Sequence, residues 1–184
     1  MTHQEQQKEQ SKQWLAAAFF DLLQWKAYES ISISDIARKA SLSRRTFYRV
    51  FRSKEDIIFY HMEQIFPDYI AALKALPQKK RAYLAVALVG FVNRHLDFFR
   101  CLRKNRLDHL IIDYFDEHLE QGRAEVWPQP FSENPEIERV FMMTISVEHY
   151  NIIRLWLDHY EEKTPEELSA LVSDALSLFG HFND

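Results

Sequence analysis

The chain has 184 residues, enough for one or two domains and for a continuous core that needs no disulfide or metal. Its composition is 47% apolar and 27% charged with only three glycines and six prolines, which excludes collagen, low-complexity disorder and most loop-rich β architectures. The single cysteine, Cys101, excludes an internal disulfide and a multi-cysteine zinc site. The longest apolar run, residues 83–92, is about half the ~20 residues that a membrane-spanning helix needs. Because the first residues are polar throughout, we expect a soluble cytoplasmic protein without a targeting leader.

The net charge of −4 is unevenly distributed along the chain. Residues 1–54 hold ten Lys and Arg against five Asp and Glu, whereas the remainder holds thirteen against twenty-two. Residues 36–54 contain seven basic side chains and no acidic one. A basic segment joined to an acidic body is typical of a polyanion-binding module attached to a domain with another task. The alternative is a solvated charged helix face, although such faces usually mix both signs.

Apolar residues recur at helical spacing through most of the chain, which predicts an all-α fold. The start signals are clear: Ser32 with Asp35 forms a capping box, Ser43 is an N-cap, and Pro135 and Pro165 each follow an N-cap residue. Pro67 is expected to end or kink the helix that contains it. The predicted helices cover residues 11–24, 33–40, 44–51, about 54–66, 78–100 with an interruption near residue 95, 105–120 with a stop near Gly122, 135–159 and 165–179.

The two short helices at residues 33–40 and 44–51 form the helix-turn-helix pattern, whose second helix enters the major groove of DNA. Phe47, Val50 and Phe51 share the inward face of the second helix. The outward face has cations and a tyrosine with no acidic residue in the same helix, an arrangement that suits phosphates and base edges. This outward stripe consists of Arg45, Tyr48, Arg49 and Arg52.

Residues 31–57 resemble the TetR/AcrR family of bacterial transcriptional regulators. The resemblance is most specific at Thr46-Phe47-Tyr48, at the aromatic Phe51 and at the following Ser53-Lys54. One departure is visible: the family usually has glycine in the turn where Ser41 stands, so the turn geometry is expected to differ slightly.

The resemblance implies roles for individual residues of the predicted DNA-binding site. Thr46, Tyr48 and Lys54 match positions that hold phosphates, and Ser32 matches a hydroxyl that touches the DNA backbone. The hydroxyl of Ser43 lies where a helix N-terminus favours an anion, with plain capping as the alternative. Arginine pairs well with guanine in the major groove, and the positions that reach base edges or flanking phosphates are Arg44, Arg45 and Arg49. The basic Lys8 and Lys12 are expected to form a flexible arm or a disordered tail.

The resemblance also implies an N-terminal three-helix DNA-binding domain, residues 1–54, followed by a larger helical domain, residues 55–184, that binds an effector and dimerises. A boundary helix runs from about residue 54 to 66. The expected effector pocket is lined by Phe91, Phe98, Tyr114, Phe115, Met142, His149 and Tyr150. The expected dimer interface is formed by Ile145, Ile152, Leu155, Leu168, Leu171, Val172, Ala175 and Leu178. For both sets the alternative is ordinary intramolecular core.

These observations predict a homodimeric regulator that binds double-stranded operator DNA, a repressor released by an unknown small-molecule effector. An alternative is a DNA-bound adaptor or activator whose C-terminal domain binds a protein partner. We expect no enzymatic activity, no cofactor, no membrane association and no metal site. The histidine-aspartate spacings around His109 and His118 could ligate a metal, but no third ligand is evident. No glycine-rich phosphate loop is present.

Overall fold

The computed structural model describes residues 2–76, 81–159 and 162–178, apart from the side chains of residues 81–83 and 176. Within this part of the chain the fold is all-α, as predicted, with nine α-helices, one short 3-10 turn and no strand. The helices are α1 (His3–Trp25), α2 (Ile33–Lys39), α3 (Arg44–Val50), α4 (Glu55–Lys74), α5 (Arg81–Arg94), α6 (Leu96–Lys104), α7 (Leu110–Val126), α8 (Pro135–His159) and α9 (Pro165–Ser177), and the 3-10 turn is Tyr28–Ser30.

The chain forms two compact units. The first comprises Met1–Gln64 together with Cys101–Leu110, and the second comprises Ile65–Arg100 together with Ile111–Asp184. The predicted domain boundary near residue 54 assigned residues 55–64 and 101–110 to the second domain, whereas in the structure both segments belong to the first unit. In residues 101–110 the apolar side chains Leu102, Leu107 and Leu110 are all buried, so this return segment adds to the apolar core of the first unit.

The first unit is built on α1, α2 and α3, which pack against one another. Helix α1 begins at His3, eight residues before the predicted start, because Thr2 and Glu5 form a capping box there. Lys8 and Lys12 therefore lie on a helix and not on the flexible arm or tail expected from the sequence. Lys12 lies over the ring of Tyr60 at 5.1 Å, and the Tyr60 hydroxyl donates to Glu9 at 2.5 Å. These contacts hold the polar start of α1 against α4.

The turn between α2 and α3 is a helix C-cap closed by two backbone hydrogen bonds. The Leu42 N–H donates to the Ala37 carbonyl at 2.8 Å, and the Ser41 N–H donates to the Arg38 carbonyl at 3.1 Å. This is the Schellman motif, which needs a left-handed residue at its centre. Ser41 supplies it with φ of 57°. The turn therefore has the backbone conformation that favours glycine, although a serine occupies the position.

Helix α4 continues through Pro67 to Lys74. Of the two expected effects of Pro67, an end or a kink of the helix, the end does not occur. A proline inside a helix costs about 3 kcal/mol, because it removes one backbone hydrogen bond and crowds the preceding turn. Burial of the apolar residues on both sides of it, including Phe66, Tyr69 and Leu73, offsets that cost, since each contributes roughly 1.5–3 kcal/mol.

In the second unit α5 packs against α8 and α9. Helix α7 runs to Val126, past Gly122, where the sequence predicted its end. Gly122 serves close packing instead: a Cβ atom there would lie 2.6 Å from Ile70 Cδ1 and 3.1 Å from Phe66 Cε1. The starts of α8 at Pro135 and of α9 at Pro165 are confirmed. Phe179, at the predicted end of the last helix, lies outside the described residues.

Candidate nucleic-acid interface

Helix α3 divides into a buried face and an exposed face. Phe47 is fully buried and packs against Phe51, with ring centroids 5.9 Å apart. Arg45 and Arg49 are exposed, and the Tyr48 side chain is 52% exposed. The buried aromatics thus fix the helix against the unit, and the opposite face turns its cations and its phenol to solvent.

Within the described part of the chain, the guanidinium groups of α3 have no counter-ion. Among the described residues, none of Arg44, Arg45 and Arg49 forms an ion pair or a side-chain hydrogen bond, and the same holds for the guanidinium of Arg52. The neighbouring cations of α2 behave differently, because Arg38 pairs with Asp35 and Lys39 pairs with Asp21. The positive charge available to an external polyanion is therefore concentrated on α3 and directly after it.

The hydroxyls predicted to touch DNA have local roles in the structure. Ser43 caps α3 by accepting the Thr46 N–H at 3.0 Å, and the two hydroxyls lie 3.0 Å apart. Ser32 caps α2 in a reciprocal capping box with Asp35. The hydrogen bonds from the Ser32 hydroxyl and N–H lower the pKa of Asp35. Ser32 and Ser43 are exposed and Thr46 is half-buried, so the two caps leave these hydroxyls within reach of a phosphate.

Lys54 is held inside the first unit. Its Nζ donates to the carbonyls of Tyr28 at 2.8 Å and Ile31 at 2.9 Å, and it lies 3.9 Å from the centroid of the Tyr28 ring. The Tyr28 hydroxyl in turn donates to Glu55. Burial raises the pKa of the Tyr28 phenol, and the Glu55 carboxylate raises it further. This cluster was not predictable from the sequence, because Tyr28 lies 26 residues from Lys54 and no local pattern joins the two.

The second unit contains an apolar cavity of about 70 Å³. Of the predicted pocket residues, Met142 and His149 line it. Phe91 and Phe115 lie behind the lining: Phe91 packs on Tyr69 at 5.5 Å and Phe115 on His149 at 5.4 Å between ring centroids. The remaining predicted pocket residues, which do not line the cavity, are Phe98, Tyr114 and Tyr150. Sequence reasoning missed most of the lining, namely Phe66, Tyr69, Ile70, Leu73, Leu84, Leu119, Gly122, Arg123, Trp127, Phe131, Phe141 and Ile145.

An apolar stripe on α8 and α9 is exposed. It includes Val140 at 64%, Met143 at 52% and Val147 at 48% exposure on α8, and Leu171 and Leu178 near the end of the chain at 50% and 56%. Of the predicted interface residues, Leu155, Leu171, Ala175 and Leu178 are exposed. The other predicted interface residues pack within the same chain. Ile145 lines the cavity, and Ile152, Leu168 and Val172 are buried. The exposed stripe on α8 thus lies on the side of the helix away from Ile145 and Ile152.

The histidines considered as metal ligands make local contacts. His109 Nδ1 lies 3.2 Å from the Arg106 carbonyl, and His118 Nδ1 lies 2.9 Å from the Tyr114 carbonyl while its ring stacks on Tyr114. In the described ranges no three His, Cys, Asp or Glu side chains come together in a group that could hold a metal ion. Nor does any helix in those ranges have the length and apolar character required to cross a membrane.

The sequence model of a family described as "Bacterial regulatory proteins, tetR family" matches residues 15–60, which contain α2, α3 and the turn between them. This N-terminal segment is thus similar to the bacterial regulatory proteins of the TetR family. It contains every exposed arginine of α3.

One curated protein similar to this chain is the HTH-type dhaKLM operon transcriptional activator DhaS of Lactococcus lactis subsp. lactis (strain IL1403), which is 30% identical over 113 residues. The match covers 54% of this chain and 59% of that protein, so the chain spans less than two thirds of the relative's length.

Two solved structures share the fold. Lin0861 from Listeria innocua has a TM-score of 0.75 and 16% identity over 97% of this chain and 94% of its own. NalD of Pseudomonas aeruginosa, described as the secondary repressor of the MexAB-OprM multidrug efflux pump, has a TM-score of 0.55 and 15% identity over 92% of this chain and 95% of its own.

Proposed function

We propose that the chain is a homodimeric transcriptional regulator that binds a double-stranded operator through α3 and works in the cytoplasm. The observation that carries the proposal is the set of exposed guanidinium groups on α3 that have no carboxylate partner among the described residues. Arg44, Arg45 and Arg49 are assigned to base edges and flanking phosphates, and Tyr48 to the sugar-phosphate backbone. The proposal assigns no catalytic reaction and no cofactor to the chain.

The DNA assignment is tested by substitution on α3 with a control on α2. Arg45→Ala or Arg49→Ala should weaken binding to the cognate operator by about 1–3 kcal/mol and relax base preference at one position. Tyr48→Phe should weaken binding to cognate and random DNA alike. The control is Arg38→Ala, whose guanidinium already pairs with Asp35. Mobility shift and fluorescence anisotropy with both kinds of DNA separate the cases, and equal losses on both for Arg45 and Arg49 would remove the base-reading role.

Dimerisation is proposed through the exposed apolar stripe on α8 and α9. A two-fold dimer can present two α3 helices to successive major grooves, about 34–36 Å apart along the duplex. Val147 belongs to this stripe and is 48% exposed. Val147→Glu should give monomers in sedimentation equilibrium, whereas Val86→Glu, a change at an exposed valine of α5, should leave the association constant unaltered. A Val147→Glu chain that still sedimented as a dimer would show that another surface is used.

We further propose that the protein represses transcription and that a small molecule releases it from the operator. An effector in the second unit would favour the dimer conformation in which the two α3 helices no longer fit one duplex. The shift it causes is limited by its differential affinity for the two conformations. The apolar cavity beside Tyr69 and His149 supports this assignment.

The second candidate is an activator whose C-terminal unit binds a protein partner, and the likeness to DhaS, a protein described as an activator, favours it. A reporter gene fused to the bound promoter distinguishes repression from activation. Deleting the regulator's gene raises transcription if it represses and lowers transcription if it activates. Calorimetric titration with metabolites, run beside affinity capture of proteins, then separates a small-molecule effector from a protein partner.

A further inference from the structure

The cavity in the second unit is walled mainly by hydrocarbon. Phe66, Ile70 and Leu73 of α4 form one side of it, and Met142 and Ile145 of α8 form another. The polar or charged side chains in its wall are Tyr69, Arg123, Trp127 and His149. Which ligands the cavity can bind therefore depends on the hydrogen bonds and ion pairs that these side chains already form.

Tyr69 and His149 form a neutral hydrogen-bonded pair. His149 Nδ1 lies 2.8 Å from the Ile145 carbonyl, which can only accept, so Nδ1 carries the proton. Nε2 then accepts from the Tyr69 hydroxyl at 2.5 Å. Burial lowers the pKa of His149 to about 4, in keeping with a neutral ring. The pair thus has no further proton to donate, and its unused capacity is a lone pair on the Tyr69 oxygen, which can accept a hydrogen bond from a guest.

The positive charge of the Arg123 guanidinium is balanced by the nearby carboxylate of Glu138. Its Nε lies 3.4 Å from Glu138 Oε1, and both side chains are only about a tenth exposed, at 10% and 11%. Its Nη1 donates to the carbonyls of Trp127 at 2.8 Å and Gln129 at 3.0 Å. Glu138 Oε2 accepts the Ser132 N–H at 3.0 Å, whereas the 3.4 Å contact between Arg123 Nε and Glu138 Oε1 is an ion pair without a hydrogen bond. An anionic guest would place a second negative charge beside Glu138 in an apolar wall, and a cationic guest would find no free carboxylate in the lining.

We propose that this cavity binds an uncharged, mostly hydrocarbon molecule that carries one hydroxyl or similar donor, which hydrogen-bonds to the Tyr69 oxygen. The inference rests on the proposed function, because it names the chemical class of the effector of that same site. As it stands the cavity of about 70 Å³ is smaller than the space needed for an aromatic ring, since a cavity of about 150 Å³ holds benzene. Phe131 and Phe141 line the cavity and are 51% and 41% exposed, so the proposal takes the extra space from movement of these two side chains.

A matched set of small probes tests the chemical class. The full-length protein is titrated with benzyl alcohol, toluene, benzoate and benzylammonium, and binding is followed by the thermal unfolding midpoint and by calorimetry. Benzyl alcohol should bind at least about tenfold more tightly than either ion, and up to about tenfold more tightly than toluene, as expected for one added hydrogen bond. Tightest binding of benzoate or benzylammonium, or no binding of benzyl alcohol, would overturn the proposal.

Substitutions test the location. Met142→Trp, which puts an indole into the cavity, should abolish the shift caused by benzyl alcohol. The control Val86→Trp adds the same indole on an exposed part of α5 and should leave the shift intact. Should Met142→Trp fail to fold, Met142→Ala replaces it, and the affinity for benzyl alcohol should then rise because the cavity is larger. Unchanged affinity in the Met142 variant would place the guest elsewhere and overturn the proposal.

The DNA readout keeps this inference separate from the proposed function. Operator retention is measured in parallel with saturating benzyl alcohol. Binding of the alcohol together with loss of the operator supports both. Binding without any change in operator affinity upholds the chemical class assigned to the cavity and removes effector release from the proposed function.

Discussion

Lys54→Ala is the substitution that best distinguishes the internal role of this lysine from the phosphate contact that the family resemblance implies. In the structure the ammonium group donates to two carbonyls at 2.8 and 2.9 Å and lies over the Tyr28 ring. One of those carbonyls belongs to Ile31, a residue that is 1% exposed. The alanine variant would leave both acceptors without their donor and remove the cation from the ring.

The size of the loss follows from these contacts. A hydrogen bond to a charged group contributes about 1.5–3 kcal/mol, and a cation over an aromatic ring about 0.5–2 kcal/mol. Lys54 is half-buried, and ordering its long side chain costs up to about 2 kcal/mol, so we expect a net loss of about 2–4 kcal/mol. At roughly 2–4 °C per kcal/mol for a chain of this length, the thermal midpoint should fall by about 4–16 °C.

The assay is thermal and urea unfolding of the DNA-free protein, with Lys8→Ala as the control because Lys8 is an exposed cation of α1. Lys8→Ala should change the free energy of unfolding by less than about 0.5 kcal/mol. The salt dependence of operator binding is measured on the same variants. A Lys54→Ala protein of unaltered stability whose log-log salt slope falls by about one unit would refute the internal role and establish a phosphate contact.

Three further predictions concern backbone conformation, close packing and pH. Ser41→Gly should stabilise the protein by about 1 kcal/mol in urea unfolding, because it relieves a left-handed conformation that costs a non-glycine residue roughly 1–2 kcal/mol; a destabilised variant would argue against that strain. Gly122→Ala should cost about 1–2 kcal/mol through overpacking, whereas Gly90→Ala, whose Cβ would approach only Arg94 within 4 Å, should gain up to about 1 kcal/mol from helix propensity; equal effects of the two would contradict the packing argument. His149 has its pKa lowered from 6.5 to about 4 by burial, so the unfolded chain holds the extra proton between those values. The neutral, buried His149 therefore adds roughly 2–3 kcal/mol to the free energy of unfolding above pH 6.5, and this amount is lost as the pH falls toward 4. The stability difference between wild type and His149→Gln should shrink over that window in urea titrations, and a constant difference would refute the assignment.

The helix starts were predictable because they depend on residues close in sequence. Ser32 with Asp35, Ser43 with Thr46, and the prolines at 135 and 165 fix their helix ends through contacts within three or four residues. The helix ends were less predictable. Pro67 and Gly122 looked like stop signals, yet both lie inside helices, because the packing of apolar neighbours such as Ile70 outweighs local propensity.

The candidate site was predictable in part for the same reason. The exposed arginines of α3 follow from helical spacing and from the lack of a nearby acid, both of which are visible in the sequence. The engagement of Lys54 was not predictable, since its acceptors come from a turn more than twenty residues earlier in the chain. The cavity lining was largely missed because Phe66, Tyr69 and Arg123 are far apart in sequence and none of them belongs to a motif.

The sequence by itself determined the all-α class, the helix-turn-helix and the cations on its second helix, since each depends on periodicity, capping and charge within one or two helical turns. Only the tertiary structure decided which apolar residues are enclosed and which remain exposed. Apolar residues lie on several sides of α8, and packing against α5 and α9 buries Ile152 and leaves Val147 exposed. Burial is a property of the neighbouring helices as much as of the residue, and those neighbours come from distant parts of the chain.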